Sequence, residues 1–281
     1  MIEEQEMARR FRAMRQQVRQ QAPLIHCITH PITMNDSANL VLAVGARPIM
    51  AAHPEEAAEV TSGAAVLAVN LGNITDSRMA AMRRSGAAAR AGGIPILIDL
   101  VGITCSTLRR SFARQFIADY APAVIKGNIS EIRLLCGLPS HASGVDAAAA
   151  DCLTAAGRAE LEAAVSAYAK RQGAVVFASG AVDCIADGEA VRYAANGTPR
   201  LAEITGTGCM LGTLTAVYLA AGTPAEAAGL AAVTMGLAGE HAARQSAGPG
   251  SFHAALFDAL AGLSDEDLLA EGRLVQHSRN T

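Results

Sequence analysis

The chain contains no tryptophan, and only 4% of its 281 residues are aromatic. Proteins that hold single-stranded nucleic acid stack bases on aromatic rings beside a basic groove. This chain has few rings and a formal net charge of −3, so it has no general attraction for nucleic acid. Its six cysteines, at 27, 105, 136, 152, 184 and 209, form no C-x-x-C pair and have no histidine at zinc-ligand spacing. Such scattered thiols predict a reduced, cytoplasmic protein. The start, Met1-Ile-Glu-Glu-Gln-Glu, does not read as a secretory leader. No charge occurs between Ile204 and Ala225, but glycines, threonines and Pro224 interrupt that run. It predicts two buried helices and no membrane span. A G-x-x-x-x-G-K-[ST] phosphate loop is also absent.

Small and apolar residues are plentiful: 51% of the chain is hydrophobic and 26 residues are glycine. That is ample for a large core of closely approaching layers. The length is read as one domain, residues 1–281, with a helix over 1–21. In that helix Glu3, Glu4 and Glu6 lead, and Arg9, Arg10, Arg12, Arg15 and Arg19 follow, as the helix dipole favours. The arginines predict a solvated face or a contact between subunits.

Beyond it, strands and helices alternate. Strands are expected at Leu24–Ile28, Arg47–Met50, Ala65–Val69, Ile94–Leu100, Ala123–Ile125 and Val175–Ala178. Asp187-Gly188 marks a hairpin between Asp183–Ala186 and Ala190–Tyr193, and Leu201–Ile204 reads as the last strand. Helices are expected at Asn35–Val44, Pro54–Thr61, Ser77–Ala91, Thr107–Tyr120, after Lys126, at Arg158–Arg171, and at 207–221, 224–245 and 251–261. Ser143–Gly157 reads as a loop or weak helix. The alternation predicts an α/β fold, a largely parallel sheet with helices on both faces. Ligands of such sheets bind beyond the C-terminal strand ends, where Asp99, Lys126 and Gly206 fall.

Thr205-Gly206-Thr207-Gly208-Cys209 is the richest segment. Glycines bring backbone close to a ligand, and a helix start offers free N–H groups to an anion. Cys209 sits in that first turn, where a thiol's pKa is expected to fall. The spacing Gly206-x-Gly208-x-x-x-Gly212 also resembles a dinucleotide fingerprint. It comes too late in the chain, however, and Glu226, the acid at the right distance, follows Pro224 at a helix start. Asn128 and Glu131 share one helical face, which suits either a hydrated Mg2+ ion or a capping box. Asp99 ends an apolar strand as a cap or as an anchor for metal and phosphate. His26 and His30 flank Cys27 with no third ligand nearby, and read as hydrogen-bonded or substrate-contacting histidines.

Taken together, the motifs resemble the hydroxyethylthiazole kinase family of thiamin salvage. They are Thr33-Met-Asn35, Ala38-Asn39, Leu42-Ala-Val-Gly45-Ala, Pro48-Ile-Met50, Asp99-Leu-Val-Gly102, Lys126-Gly-Asn-Ile-Ser-Glu-Ile132, Gly144-Val-Asp146, Ser179-Gly180-x-x-Asp183 and Thr205-Gly-Thr-Gly-Cys209. The resemblance implies a three-layer ribokinase-like fold. It also implies ATP-dependent phosphorylation of the hydroxyl of 4-methyl-5-(2-hydroxyethyl)thiazole, with Mg2+, in a homotrimer. By motif, Met50 and Gly206 would contact the thiazole, with His30 and Asn35 beside them in the alcohol pocket. Lys126 and Ser179 would contact ATP, and Asp99, Asn128 and Glu131 would serve the metal and phosphates. Gly206, Thr207 and Gly208 would hold the migrating phosphoryl group, and Cys209 would orient or accept the alcohol proton. The family usually has Arg at Lys126 and Pro at Leu100, and often Asn at Cys27 and His30. Lysine keeps the charge but loses the bidentate fork. A kinase of another small alcohol, a non-catalytic nucleotide- or metabolite-binding oligomer, and more distantly an NAD-dependent oxidoreductase are the rival readings.

Overall fold

The computed structural model describes residues 2–140 and 155–277. Most of the Ser143–Gly157 segment, including the Gly144-Val-Asp146 motif, lies outside the described residues.

One nine-stranded sheet runs through the molecule, in the order β2-β1-β3-β4-β5-β6-β7-β8-β9. Strands β1 (Leu24–Ile28), β2 (Arg47–Ile49), β3 (Val66–Asn70), β4 (Ile96–Asp99), β5 (Val124–Asn128) and β6 (Val175–Ser179) are parallel. The hairpin β7 (Asp183–Ala186) and β8 (Val191–Ala194) continues antiparallel, as Asp187-Gly188 predicted.

The strand sequences explain the layering. Side chains alternate across a strand, and here both sets are apolar. Ile25, Cys27, Val66, Ala68, Leu97, Val124, Val175 and Phe177 join one core. Ile28, Leu67, Val69, Ile96, Ile98, Ile125, Val176 and Ala178 join the other. A sheet apolar on both faces must be covered on both. The first face carries α1 (Ile2–Gln21), α2 (Pro31–Ala43), α8 (Thr207–Leu219), α9 (Pro224–Gln245) and α10 (Pro249–Gly262). The second carries α3 (Pro54–Ser62), α4 (Asp76–Gly92), α5 (Thr107–Tyr120), α6 (Ile129–Leu135) and α7 (Ala155–Gln172). The uncharged α8 is buried from Cys209 to Leu219, and among the described residues no helix is long and apolar enough to cross a membrane.

Three readings needed correction. Leu201–Ile204 is not a strand: Pro199–Glu203 forms a 3-10 turn started by Thr198, and Thr207 Oγ1 donates to Leu201 O at 2.8 Å. The last strand is β9 (Leu274–His277), antiparallel to β8, and α11 (Asp265–Glu271) precedes it. Both are short, seven and four residues, and runs of that length carry little periodicity. Arg9, Arg10, Arg12 and Arg19 of α1 are exposed, and only Arg15 departs from the solvated face. Arg15 is buried, ion-paired with Asp265 and bonded to Leu263 O, and Arg10 meets Glu226 at 2.6 Å. Glu226 also completes the capping box with Thr223 that starts α9. It is remote from Gly206, at the far end of α8, so the dinucleotide pattern has no acidic partner.

Candidate active site

The parallel strands deliver Asn70, Asp99, Lys126, Asn128 and Ser179 to one edge of the sheet. There Asn70 is in register with Asp99, Asp99 with Lys126, and Asn128 with Ser179. The first turn of α8 closes over them. Gly206, its N-cap, has φ +90°, a conformation that disfavours any side chain. A Cβ there would also meet Thr33 Cγ2 at 2.2 Å. One turn later, a Cβ on Gly212 would stand 2.8 Å from Asp99 Oδ2. Glycine therefore lets α8 lie directly on the strand ends. The N–H groups of Thr207, Gly208 and Cys209 have no intrahelical acceptor, and Gly208 is exposed. This is an amide cradle suited to an anion.

Beneath the cradle lies a buried ion pair. Lys126 Nζ donates to Asp99 Oδ2 at 3.1 Å and to Gly208 O at 2.7 Å, and both side chains are under 4% exposed. Burial raises the Asp99 carboxyl above its ordinary range, against the pull of Lys126. Burial opposes the Lys126 charge, but Asp99, Cys209 and Glu131 more than restore it. Asn70 Nδ2 donates to the same Asp99 oxygen at 3.3 Å. Asp99 Oδ1 is buried and without a partner among the described residues, and a cavity of about 10 Å³ adjoins it among Asn70, Cys209 and Thr213.

Asn128 and Glu131 form the capping box. Glu131 Oε2 accepts from Asn128 N at 2.7 Å, while Oε1 accepts from Gly102 N at 2.7 Å. Burial, then Asp99, pushes Glu131 up to about 7. Among the described residues no three His, Cys, Asp or Glu side chains converge as a metal cage. Asp99 is ion-paired with Lys126. Glu131 gives both carboxylate oxygens to backbone amides, and Asn128 Oδ1 accepts from Glu131 N at 2.9 Å, so the capping box is what the two residues form here.

Cys209 is buried, and its thiol is pushed up to about 11 by burial and then by Asp99, against Lys126. Desolvation outweighs the helix start, contrary to the expected fall. His30 Nε2 lies 3.4 Å from Cys209 Sγ. His26 is separate, with its two ring nitrogens at 2.8 Å from Thr61 Oγ1 and from Ala51 O.

The remaining predicted residues lie around this cluster. Ser179 Oγ donates to Gly127 O at 3.2 Å. Met50 is half-buried just after β2, and Asn35 is exposed on α2. Neither belongs to the hydrogen-bonded cluster. Sequence reasoning missed Asn70, Arg78 and Arg109. Asn70 carries the same signal as Asp99, a polar residue ending an apolar strand. The two arginines, on α4 and α5, carry none. Arg78 holds the carbonyls of Asn70 and Gly72 and Arg109 that of Val101. The positive field of both reaches His30. A larger cavity, about 450 Å³, lies where the β7–β8 turn and β9 meet α1 and the start of α9. Its arginines are already paired, Arg10 with Glu226 and Arg192 with Asp187.

The chain has known relatives. A sequence model described as the hydroxyethylthiazole kinase family matches residues 15–266. Hydroxyethylthiazole kinase 2 of Clostridium botulinum strain 657 is 45% identical over 260 residues, covering 92% of this chain and 98% of that protein. A solved structure of a hydroxyethylthiazole kinase protein from Pyrococcus horikoshii OT3 superposes with a TM-score of 0.84 at 29% identity, covering 94% of this chain and 98% of that one. A ribokinase-like superfamily protein from Enterococcus faecalis shares the fold, with a TM-score of 0.58 at 14% identity over 86% of this chain and 88% of its own. With an amide cradle over a buried Lys–Asp pair, a thiol in the first turn of α8 and a match along nearly its whole length, the chain belongs to the hydroxyethylthiazole kinase family.

Proposed function

We propose that the protein transfers the γ-phosphoryl group of ATP to the hydroxyl of 4-methyl-5-(2-hydroxyethyl)thiazole, as one kinase domain acting in thiamin salvage. The observation that carries this reading is the cradle of Thr207, Gly208 and Cys209, braced by Lys126 through Gly208 O at 2.7 Å. Phosphoryl transfer asks for positioning and charge stabilisation more than covalent chemistry. Preorganised amides aimed at a travelling PO₃ group supply both, each worth about 2.7–4 kcal/mol of barrier.

Lys126 acts from below the cradle, as a charge fixed by Asp99. Arg78 and Arg109 add positive field near the same strand ends. Ser179 and the turn after β6 border the nucleotide side. ATP brings Mg2+, which neutralises charge on the phosphates; Glu131 and Asn128 would hold its waters. Cys209 faces the acceptor alcohol, near His30. Met50 and Asn35 lie outward from the cluster, where a neighbouring subunit would complete the thiazole pocket. The exposed Ile32 and Leu42 on α2, 61% and 57% accessible, support a subunit contact there, which we read as that of a homotrimer. The assembled enzyme works in the cytoplasm.

The test is ³¹P NMR of the thiazole alcohol with Mg-ATP and the purified protein. A phosphomonoester signal appearing with ADP is the expected result. ATP binding without turnover sinks the kinase reading, and turnover only with another alcohol reassigns the substrate.

A further inference from the structure

His30 is built into the site more tightly than a substrate contact requires. It is 6% exposed, at the N-cap of α2. Gly72 lies against its ring, where a Cβ would come within 2.4 Å of Cδ2. The Gly72 loop is itself pinned, with Gly72 N donating to Asn70 Oδ1 at 2.8 Å and Arg78 holding the carbonyl of Gly72. The ring cannot swing away, and Nε2 stays 3.4 Å from Cys209 Sγ. Thr33 Oγ1 also reaches Nε2, at 3.2 Å, but lies 3.3 Å from Thr29 Oγ1 as a second partner.

The charges around the pair fix its protonation. Burial, then Arg78 on α4 and Arg109 on α5, hold His30 below the ordinary imidazole range. Across the thiol stand Asp99 and Lys126, and burial keeps Cys209 protonated. Two neutral groups therefore meet; in the tautomer with the ring proton on Nδ1, which has no partner among the described residues, Nε2 accepts and the thiol donates.

We propose that His30 is a positioning residue and proton relay for Cys209: Nε2 accepts the S–H hydrogen bond and turns the sulfur lone pairs toward the acceptor alcohol. The proposal rests on the kinase reading. As the alcohol oxygen bonds to the γ-phosphorus, the bond from that phosphorus to the ADP oxygen breaks. The alcohol proton passes to sulfur while the thiol proton passes to Nε2. The imidazolium so formed lies near two guanidinium groups and returns its proton to solvent as product leaves.

A double-mutant cycle tests this. His30→Asn lowers kcat about 10- to 100-fold, within reach of what a placed proton acceptor contributes. In the Cys209→Ala background the same substitution costs less than about 2-fold, because the relay is already cut. The wild-type pH profile loses rate on the acid side as His30 protonates, and His30→Asn abolishes that limb. Multiplying losses, or an unchanged acid limb, overturn the proposal. His30→Gln repeats the cycle should the asparagine variant fold poorly. Iodoacetamide labelling of Cys209, read by peptide mass spectrometry, is independent of turnover. Wild type reacts about 10-fold faster than either His30 variant at neutral pH, since His30 accepts the thiol proton as the sulfur attacks. Equal rates refute the His30 role whatever the enzyme phosphorylates. Coupled labelling without thiazole turnover would instead refute the kinase reading.

Discussion

Lys126 and Asp99 meet at 3.1 Å as a sealed ion pair under the first turn of α8. Removing one member of such a pair leaves an uncompensated charge, at a cost of about 3–5 kcal/mol. Lys126→Met should therefore unfold at markedly lower denaturant than wild type, and the double variant Lys126→Met/Asp99→Leu should recover part of the loss. Equal denaturation midpoints for Lys126→Met and wild type would contradict the buried pairing.

Gly212→Ala separates packing from helix propensity. Alanine favours a helix interior by about 1 kcal/mol over glycine. Here the added methyl would stand 2.8 Å from Asp99 Oδ2, and overpacking costs about 1–3 kcal/mol. Net destabilisation with reduced kcat is expected. A stabilised variant of full activity would show that α8 does not rest on Asp99.

The two glycines of the cradle should respond differently in stability. Gly206→Ala forces φ +90° on a side chain that would collide with Thr33 Cγ2, so both the fold and turnover should suffer. Gly208→Ala would meet only Lys126 Nζ, at 3.7 Å, and should melt within about 1 kcal/mol of wild type. Thermal melts of both variants decide the point.

Cys209→Ala should slow phosphorylation without abolishing it, because a loose transition state asks little of the base. Cys209→Asp should retain or raise activity. With the thiol near 11, the rate between pH 7 and 9 should not follow thiolate formation. Complete inactivity of both variants, with fold and ATP binding intact, would remove the thiol from the mechanism.

Asp183 supplies a pH signature of stability. Burial pushes its carboxyl up to about 7, against the amide of Gly180, from about 3.9 in an unfolded chain. Between those values the native state holds a proton that the unfolded state has lost. Its contribution is thus fully present below the unfolded value and is lost as pH rises through 7, with a slope of up to about 1.4 kcal/mol per pH unit. Asp183→Asn should flatten the denaturation profile from pH 4 to 7 and gain on wild type above it. An unchanged profile would mean that Asp183 is not proton-linked to folding.

Most of the sheet was legible because its strands are apolar on both faces and bounded by turns. Val66–Asn70 and Ile96–Asp99 stop at a polar residue where the sheet meets the ligand edge. Leu274–His277 was not legible, since a short edge strand is defined by its partner β8 rather than by its own pattern. Leu201–Ile204 failed for the converse reason: its apolar residues suggest a strand, but Pro199–Glu203 folds as a 3-10 turn with no strand to pair with.

Local chemistry in the sequence determined the alternation of strand and helix, the Thr223 and Asn128 caps, the hairpin at Asp187 and the glycine turn that opens α8. Each depends on residues within a few positions of one another, and short-range sterics and hydrogen bonds settle such features. The tertiary structure alone decided that Lys126 turns inward to Asp99, that Glu131 spends both oxygens on backbone amides, and that His30 meets Cys209 across 179 positions of chain. Those outcomes depend on burial, which sets the cost of charge and the reach of each side chain, and burial exists only once the layers have closed.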